Sequence, residues 1–544
     1  MQRSSTLYGV SFGKDDAAMD AKQGFLDKVF LKTSFYHRVR TGQKFLVTGR
    51  KGSGKTAICL SLKNALEAEG RTTILATSKL LSVPKMQQIK GTSINDQERF
   101  ETSWRYVFLV KISIELLRNL DLRDYEFFDL DSHEKKKLRE IRSFLARNNE
   151  IDKSLWRKMS SFFNLFSKFS AKLPGGVEAG IETRQIETIY DLSSMLDKLE
   201  ECIIGLSTRL NDFNLAILVD EIDDIWDSTE ESKPLIIGLL NSIRKLNSSF
   251  SSNIVLLAFL RSDIWDSLSF SDKDKFRSED ERISWSDEDL KVLITTRGMT
   301  SAKLTGFQTN EVDLIWKTLF ESYVDQKDSF KYITDRTLKR PREVIQFCNL
   351  ALSIAQDNNN TKISQQDIKA AEARYSTWKL DDLVNEFKIQ YPFLRDVLGI
   401  FQGFDKSFSK KRISERYKEA QKFLMERFPE LISLDLDLLL QLLFAVGFIG
   451  AKVNGSEIYV HDDPDRPRII LAHLENIEAF LVHPAFHLAL GLRQFIVQIN
   501  FNNSFNNIII NQSGNFNVNM GQVVQGDQIG NVVIDQSSQD KGKS

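Results

Sequence analysis

One stretch of the chain carries residues whose types and spacing suit phosphate chemistry. It has the pattern Gly49-x-x-x-x-Gly54-Lys55-Thr56, preceded by an apolar run and followed at once by a helical pattern. The glycines let the backbone turn tightly, so that its N–H groups and the helix N-terminus face an anion. The stretch therefore predicts a P-loop, with Lys55 reaching the β- and γ-phosphates and the Thr56 hydroxyl binding Mg²⁺. The residues predicted to contact the nucleotide are Gly49, Arg50, Lys51, Gly52, Ser53, Gly54, Lys55, Thr56 and Ala57.

A second stretch, residues 214–224, is a continuous apolar run that ends in acidic residues. This is typical of a buried parallel strand whose carboxyl end lies at a ligand crevice. Beside a P-loop, Asp220 is predicted to hold Mg²⁺ and Glu221 to orient and polarise the attacking water. The alternative is a strand that ends in an acidic, helix-capping turn. We expect Asp223 and Asp224 to begin the next helix or to contact a neighbouring subunit or residue rather than to contact the nucleotide.

Arginines at predicted element ends are further candidates. Arg261 follows the predicted strand 253–260, where it would lie beside the γ-phosphate and sense its presence; a salt bridge to a nearby acid is the alternative. Arg342 opens a helix after Pro341 and is predicted to close onto the phosphates, unless it lies on an exposed helix surface. Arg277 and Arg282 precede a last short strand, predicted at 283–285, and either is placed to act as an arginine finger in trans.

Composition limits the class of protein. The 544 residues include 73 basic and 74 acidic side chains, so no overall charge attracts nucleic acid or an anionic membrane. The three cysteines, Cys59, Cys202 and Cys348, follow no disulfide or metal spacing and fit a reducing compartment. No apolar run reaches membrane-spanning length and no signal-peptide pattern opens the chain. These features predict a soluble cytoplasmic protein without a membrane partner.

The chain divides into four predicted parts. They are a P-loop core over 1–300 with a largely helical insertion at about 84–190, a helical lid over 301–379, a winged-helix-like domain over 380–492, and an Asn/Gln-rich tail over 493–544. The lid pattern predicts helices at 310–324, 328–337, 341–357 and 364–378. In the winged-helix-like domain, Asn454-Gly455 predicts a hairpin turn.

Two of these parts suggest how the protein interacts. The third predicted helix of the winged-helix-like domain is acidic and apolar, with Asp435 and Asp437, which favours protein packing over DNA reading. In the tail, apolar residues alternate with Asn and Gln, a pattern that predicts strands able to stack between chains. A disordered polar tail is the alternative interpretation.

Four segments together identify a resemblance: Gly49–Thr56, Leu218–Asp223, Phe259–Asp263 and Arg340–Arg342. Their order resembles the additional-strand P-loop ATPases at the border of the AAA+ and STAND groups, especially bacterial members, some of which are found among anti-phage defence genes. The resemblance implies an α/β core with a parallel sheet in the order 5-1-4-3-2, ATP with Mg²⁺, a helical lid and a winged helix. It also assigns the sensor roles to Arg261 and Arg342, although many STAND proteins carry Gly-x-Pro where this chain has Lys-Arg-Pro-Arg.

These observations predict an ATP-binding and ATP-hydrolysing molecular switch that forms homo-oligomers in response to nucleotide, in bacterial defence or signalling. No second catalytic constellation is evident, so the effector would be the tail or a separate protein, and a separate trigger is expected. One alternative is a DNA-binding initiator or remodelling ATPase that uses the winged helix; the near-neutral charge disfavours nucleic acid. The other is a nucleotide-gated scaffold that does not hydrolyse ATP.

Overall fold

The structure is a computed structural model of the 544-residue chain. It describes residues 6–77, 96–122, 130–147, 178–210, 213–226, 232–250, 252–302, 311–429, 434–462 and 477–493, the single residues 230 and 431, and the pairs 509–510 and 516–517. The chain forms two compact units. The N-terminal unit is Lys14–Trp285, and the C-terminal unit combines Met1–Gly13 with Ser286–Ser544.

A five-stranded parallel sheet organises the N-terminal unit. Its strands lie in the order β2-β3-β4-β1-β5, which read from the other edge is the predicted 5-1-4-3-2. Every residue of β1 and β3 is buried, which explains why these strands read as unbroken apolar runs. The strands are β1 (Leu46–Gly49), β2 (Thr72–Thr77), β3 (Leu215–Asp220), β4 (Ile254–Arg261) and β5 (Asp280–Arg282).

The last strand differs from its prediction. β5 spans Asp280–Arg282, so the predicted strand at 283–285 is wrong by three residues. Ile283 still donates its N–H to the Thr48 carbonyl at 2.8 Å, but Trp285 leaves the sheet and its indole bonds to another loop. Residues 283–285 therefore pack beside the sheet and do not form a strand.

Helices complete the N-terminal unit. The long helix α5 lies in the region predicted as an insertion, and it packs against α8: the Trp104 indole donates to the Leu235 carbonyl at 3.0 Å. A Cβ on Gly238 would come within 2.8 Å of Phe100, so the two helices approach closely. The described part of the insertion thus belongs to the hydrophobic core. The helices are α1 (Ala17–Lys22), α2 (Leu26–Val29), α3 (Ser34–Arg40), α4 (Lys55–Ala68), α5 (Asp96–Leu122), α6 (Ser132–Arg147), α7 (Glu178–Ser207), α8 (Ser232–Ser249) and α9 (Ser262–Ser267).

The C-terminal unit begins with a helical region. Stacked rings of Trp316 and Phe320, 3.9 Å apart, lie in its core together with Phe12 from the N-terminal segment. The predicted helix 310–324 ends at Leu319, because a short hairpin of β6 (Tyr323–Val324) and β7 (Lys327–Asp328) follows. The helices of this region are α10 (Asp287–Ala302), α11 (Val312–Leu319), α12 (Ser329–Thr334), α13 (Pro341–Asp357) and α14 (Gln365–Phe387).

A winged-helix-like arrangement follows α14. An antiparallel sheet in the order β10-β9-β11-β8 packs with the helices, and its hairpin turns at the predicted Asn454 and Gly455, both with positive φ. Aromatic side chains such as Phe401, Phe448 and Phe480 fill the core. The elements are α15 (Leu394–Gly399), β8 (Ser407–Phe408), α16 (Lys410–Arg427), α17 (Leu436–Ala445), β9 (Ile449–Val453), β10 (Ser456–Ile458) and β11 (Ala479–Val482).

The described residues of the tail form one antiparallel pair, β12 (Ile509–Ile510) with β13 (Phe516–Asn517). The remainder of the tail lies outside the described residues, so stacking between chains stays a prediction. Among the described helices, none has the combination of length and apolar character that a bilayer span requires.

Candidate functional site

The loop between β1 and α4 adopts a conformation that depends on its glycines. Gly52 and Gly54 have φ angles of 82° and 99°, in the left-handed region that side chains disfavour. A Cβ on Gly49 would lie 2.4 Å from the Ser53 hydroxyl oxygen, so a larger residue there would displace Ser53. The loop thereby leads directly into the N-terminus of the 14-residue α4, with Gly54 as the N-cap.

Lys55, the first residue of α4, is buried inside this loop. Its Nζ donates to the carbonyl oxygens of Gly49 at 3.0 Å and Arg50 at 3.3 Å. Burial lowers the pKa of its ammonium group, and the nearby carboxylates of Asp223 and Asp220 counteract that shift. The loop therefore holds a desolvated positive charge, an arrangement that favours an anionic ligand.

Asp220, the last residue of β3, lies next to Thr56. Its carboxylate accepts a hydrogen bond from the Thr56 hydroxyl and lies close enough to Lys55 for their charges to interact. Burial raises the pKa of Asp220, and the Glu221 N–H, Lys55 and Thr56 each oppose that shift. A hydroxyl and a carboxylate side by side supply the hard oxygen ligands that Mg²⁺ prefers.

Two further observations test whether a nucleotide with its metal fits here. The Ser53 hydroxyl is buried and has no hydrogen-bond partner among the described residues, as expected of a group that meets a ligand or water. The described part of the chain contains no group of three or more His, Cys, Asp or Glu side chains placed to bind a metal by themselves. Mg²⁺ in proteins usually takes one or two side-chain oxygen ligands and completes its shell with phosphate and water, and Thr56 with Asp220 would supply such a pair.

Glu221 follows Asp220 and is exposed. Its backbone has φ 60° and ψ 31°, the left-handed conformation, which costs free energy in a residue with a side chain. This conformation turns the chain from β3 into the short 3₁₀ helix Ile222–Ile225. Glu221, the residue predicted to orient water, thus directly follows the predicted metal ligand at the end of β3.

Arg261 ends β4 and lies opposite Gly49 in the register of β1 and β4. Its guanidinium pairs with Asp263, with Nε to Oδ1 at 3.1 Å and Nη2 to Oδ2 at 2.6 Å. Both charges act on the pKa of Lys55, which places this pair beside the loop. The structure therefore brings Arg261 to the site and also shows the salt bridge considered as its alternative.

The other predicted arginines lie on other segments of the chain. Arg277 is exposed, and Arg282 forms an ion pair with Asp266. Arg342 belongs to the C-terminal unit, where it is partly exposed, and its role toward the phosphates stays a prediction.

Two residues of the site were missed by sequence reasoning. The Trp285 indole donates to the Ser53 carbonyl at 2.8 Å, and its ring meets Phe35 edge-on, with centroids 5.6 Å apart. Asp263 carries the counter-charge of Arg261. Asp263 could have been found from its position two residues after Arg261, whereas nothing in the local sequence around Trp285 indicates a contact 232 residues away.

Comparison with known sequences gives one family match and two relatives. A model described as the FunZ-associated C-terminal helical domain matches residues 288–384. The "Putative transposon gamma-delta 80.3 kDa protein" of Escherichia coli (strain K12) is 24% identical over 514 residues, 91% of this chain and 69% of that protein. Allergen Alt a 2 of Alternaria alternata is 25% identical over 150 residues, 27% of this chain and 77% of that protein.

Solved structures with similarity to the chain include Drosophila ORC bound to DNA, with a TM-score of 0.28, 11% identity, and coverage of 87% of this chain and 92% of that chain. Cdc6p from Pyrobaculum aerophilum has a TM-score of 0.25, 13% identity, and coverage of 87% and 98%. Aeropyrum pernix ORC2, in ADPNP–ADP complexes, has a TM-score of 0.28, 11% identity, and coverage of 87% and 97%. The fold class rests on this chain's own features: the strand order, the P-loop after β1 and the acids after β3 define a P-loop NTPase core.

Proposed function

We propose that the chain is an ATP-dependent molecular switch that binds and hydrolyses ATP with Mg²⁺ at residues 49–57. The observation that carries this proposal is the meeting of the buried Lys55 and Asp220 with the half-buried Thr56 at the ends of β1 and β3. A buried lysine in a glycine loop, beside a hydroxyl–carboxylate pair, matches the requirements of a metal-bound triphosphate.

Each side chain has a distinct part in the proposed reaction. Lys55 and the loop N–H groups bind the phosphates, and Thr56 and Asp220 hold Mg²⁺, which neutralises phosphate charge when bound. Glu221 orients a water molecule toward the γ-phosphate and accepts its proton. Glu221 directly follows Asp220 at the end of β3, and its exposed side chain is accessible to water.

Arg261 supplies a contact that depends on the ligand. Its guanidinium is held by Asp263, and a triphosphate beside Lys55 would compete with Asp263 for the same N–H groups. Arg261 would then contact the triphosphate when ATP is bound and Asp263 when it is not. A switch requires such a difference in contacts between its two states. We extend the proposal to nucleotide-dependent homo-oligomers acting in bacterial defence or signalling, with a separate trigger or effector; this part is supported by the family resemblance.

DNA binding is the second candidate function. The expectation that nucleic acid is disfavoured rests on the near-neutral overall charge and on Asp435 and Asp437, and the comparisons give it no support. On α17, Asp437 pairs with Lys410 at 2.6 Å, so part of the acidic charge of this helix is neutralised. A filter-binding assay with duplex DNA over a salt titration decides the question, because phosphate contacts make affinity fall steeply with salt.

The central test is calorimetry with MgATP on the wild-type chain and on Lys55→Ala and Glu221→Gln, followed by phosphate-release assays. We expect binding heat from the wild type, none from Lys55→Ala, and normal binding with turnover reduced about 100-fold or more in Glu221→Gln. Glu419→Gln, at an exposed position on α16, is the matched control. Absence of heat from the wild type would refute nucleotide binding, and unchanged turnover in Glu221→Gln would refute its role as the base.

Assembly is tested separately by mass photometry with and without a slowly hydrolysed ATP analogue. We expect larger particles with the analogue, and with ATP in Glu221→Gln, which cannot reset. Particles of one size under all conditions would refute the oligomerising switch while leaving nucleotide binding intact. A functional Glu221→Gln protein would favour the non-hydrolysing scaffold.

A further inference from the structure

The last residue of the N-terminal unit contacts the P-loop. The Trp285 indole N–H donates to the Ser53 carbonyl at 2.8 Å. Its ring lies against the loop, because a Cβ on Gly54 would meet Trp285 Cζ2 at 3.8 Å. Phe35 supports the ring edge-on from α3. An indole has one donor and a rigid plane, so this contact fixes both the direction and the distance of the Ser53 carbonyl.

A second contact holds the same segment to the loop. Ile283 is buried, and its N–H donates to the Thr48 carbonyl at 2.8 Å, immediately before the loop begins. A Cβ on Gly49 would also meet Ile283 at 3.3 Å. Residues 283–285 are therefore attached to the loop at both of its ends, through Thr48 and through Ser53.

The chain passes from this segment directly into a helix of the other unit. Only Ser286 separates Trp285 from α10, and the Ser286 hydroxyl caps that helix by accepting from the Asp289 N–H at 3.0 Å. The family match at 288–384 begins in the same helix. Because Ser286 alone links Trp285 to α10 and spans only a short distance, a displacement of Trp285 moves the start of α10.

The hydrogen bonding of the loop gives a reason for such a displacement. Lys55 Nζ bonds to the Gly49 and Arg50 carbonyls. A phosphate that draws the ammonium group away releases these carbonyls, and the loop re-forms its hydrogen bonds around the ligand. The Ser53 carbonyl belongs to the same turn, so the rearrangement of the loop would alter the hydrogen bond between this carbonyl and Trp285.

We propose that Trp285 is a positioning residue that orders the P-loop for nucleotide and passes the nucleotide state of the loop to α10. The proposal rests on the proposed function, since it requires that the loop binds nucleotide. Trp285 touches neither the phosphates nor the metal ligands in this scheme, and it acts through the Ser53 carbonyl.

Trp285→Phe tests the proposal, because phenylalanine keeps an aromatic ring and removes the N–H donor. Trp104→Phe is the matched control: it removes an indole-to-carbonyl hydrogen bond of 3.0 Å in the same unit, between α5 and α8. We expect Trp285→Phe to weaken ATP and ADP binding about fivefold to tenfold by calorimetry, the loss of one hydrogen bond. Trp104→Phe should lower thermal stability and leave the affinity unchanged.

Hydrogen exchange then tests the transmission. In the wild type, saturating MgATP should change exchange across residues 287–302, and in Trp285→Phe this response should be lost even at saturation. Wild-type affinity together with a wild-type α10 response in Trp285→Phe overturns the proposal, and weaker binding with the α10 response intact overturns the transmission.

Two other outcomes, a wild type that binds no nucleotide and a Trp285→Phe variant that does not fold, are each resolved by a measurement on the wild type. If the wild type binds no nucleotide, the proposed function itself fails, which the wild-type titration shows before any variant is made. If Trp285→Phe does not fold, exchange of the wild-type peptide covering 283–290 serves instead. No change there on saturation with MgATP overturns the proposal.

Discussion

Each unit buries a lysine, and the two lysines have different partners. In the C-terminal unit, Glu343 and Lys379 are 1% and 5% exposed and pair at 2.6 Å, while Arg340 pairs with Glu386 at 2.9 Å. These contacts hold the turn that opens α13 against α14. In the N-terminal unit, Lys55 bonds to neutral carbonyls, and burial lowers its pKa while raising that of Asp220.

The difference between Lys379 and Lys55 distinguishes a charge that stabilises the fold from a charge that is available to a ligand. A buried charge with a close partner is compensated, and removing the partner is costly because the remaining charge is stranded. A buried charge that is compensated only in part costs stability in the free protein, and a ligand of opposite charge recovers that cost on binding. The electrostatics around Lys55 therefore favour an anionic ligand, as the proposed function requires.

Replacing each buried lysine by methionine is the strongest test of this comparison. We expect Lys379→Met to destabilise the C-terminal unit by about 3 kcal/mol, because the buried Glu343 loses its partner at 2.6 Å and keeps the more distant Arg340, at 3.6 Å, as a counter-charge. Lys55→Met should leave stability unchanged or raise it, because it removes a desolvated charge, and should abolish nucleotide binding. Urea denaturation and calorimetry measure the two effects.

An exposed lysine provides the control for that pair. Lys410 bonds to Asp437 on the surface, with side chains that are 48% and 44% exposed, so Lys410→Met should change stability by less than about 0.5 kcal/mol. Equal destabilisation by Lys55→Met and Lys379→Met would break the comparison, since both lysines would then be structural.

Lowering the pH should change the stability of the two units differently, by a smaller amount than the lysine substitutions do. In the C-terminal unit, burial lowers the pKa of His461 to about 3 and that of His487 to about 4, and it lowers the pKa of His483 as well. The unfolded chain takes up protons near pH 6.5, whereas the folded chain does not, so stability falls as pH decreases below that value. Between pH 7.5 and 5.5, His461 and His487 together should cost this unit about 2–3 kcal/mol.

The N-terminal unit should respond in the opposite direction over the same range. Burial raises the pKa of Asp280 to about 6, so its ionised form costs stability at pH 7.5 and protonation relieves that cost as pH falls. Differential scanning calorimetry at pH 7.5 and 5.5 should show the C-terminal transition moving down relative to the N-terminal one. Replacing His461 with Gln should reduce that movement, and parallel movement of both transitions would contradict the assignment.

The features that could be predicted from the sequence are those that depend on local backbone and burial. The P-loop, its lysine and the acids after β3 lie in short patterns whose geometry is set by neighbouring residues, and the structure brings Lys55, Thr56 and Asp220 together. The helix 341–357 was predicted with its observed bounds, because Pro341 fixes its first position. The strand order came from the family resemblance, since no local pattern specifies which strands are neighbours.

The features that could not be predicted depend on contacts between distant residues. Arg340 reaches Glu386, 46 residues away, and Trp285 reaches Ser53, 232 residues away. The extension of α14 from the predicted end at 378 to Phe387 buries Lys379 against Glu343, a pairing visible only once α13 and α14 pack. For the same reason the strand predicted at 283–285 was misplaced, because tertiary packing of Trp285 prevailed over local β-propensity.

The smallest expected effect concerns backbone strain. Glu221 has φ 60° with a long side chain, whereas Asn454 in the C-terminal hairpin has φ 49° with a residue that tolerates this conformation. Glu221→Gly should therefore stabilise the N-terminal unit by about 0.5–1 kcal/mol and abolish turnover, while Asn454→Gly changes stability little. Urea midpoints and phosphate release measure both. A Glu221→Gly protein that is less stable than the wild type would mean that the carboxylate supports the fold, and the strain at the end of β3 would then have a structural and not a catalytic origin.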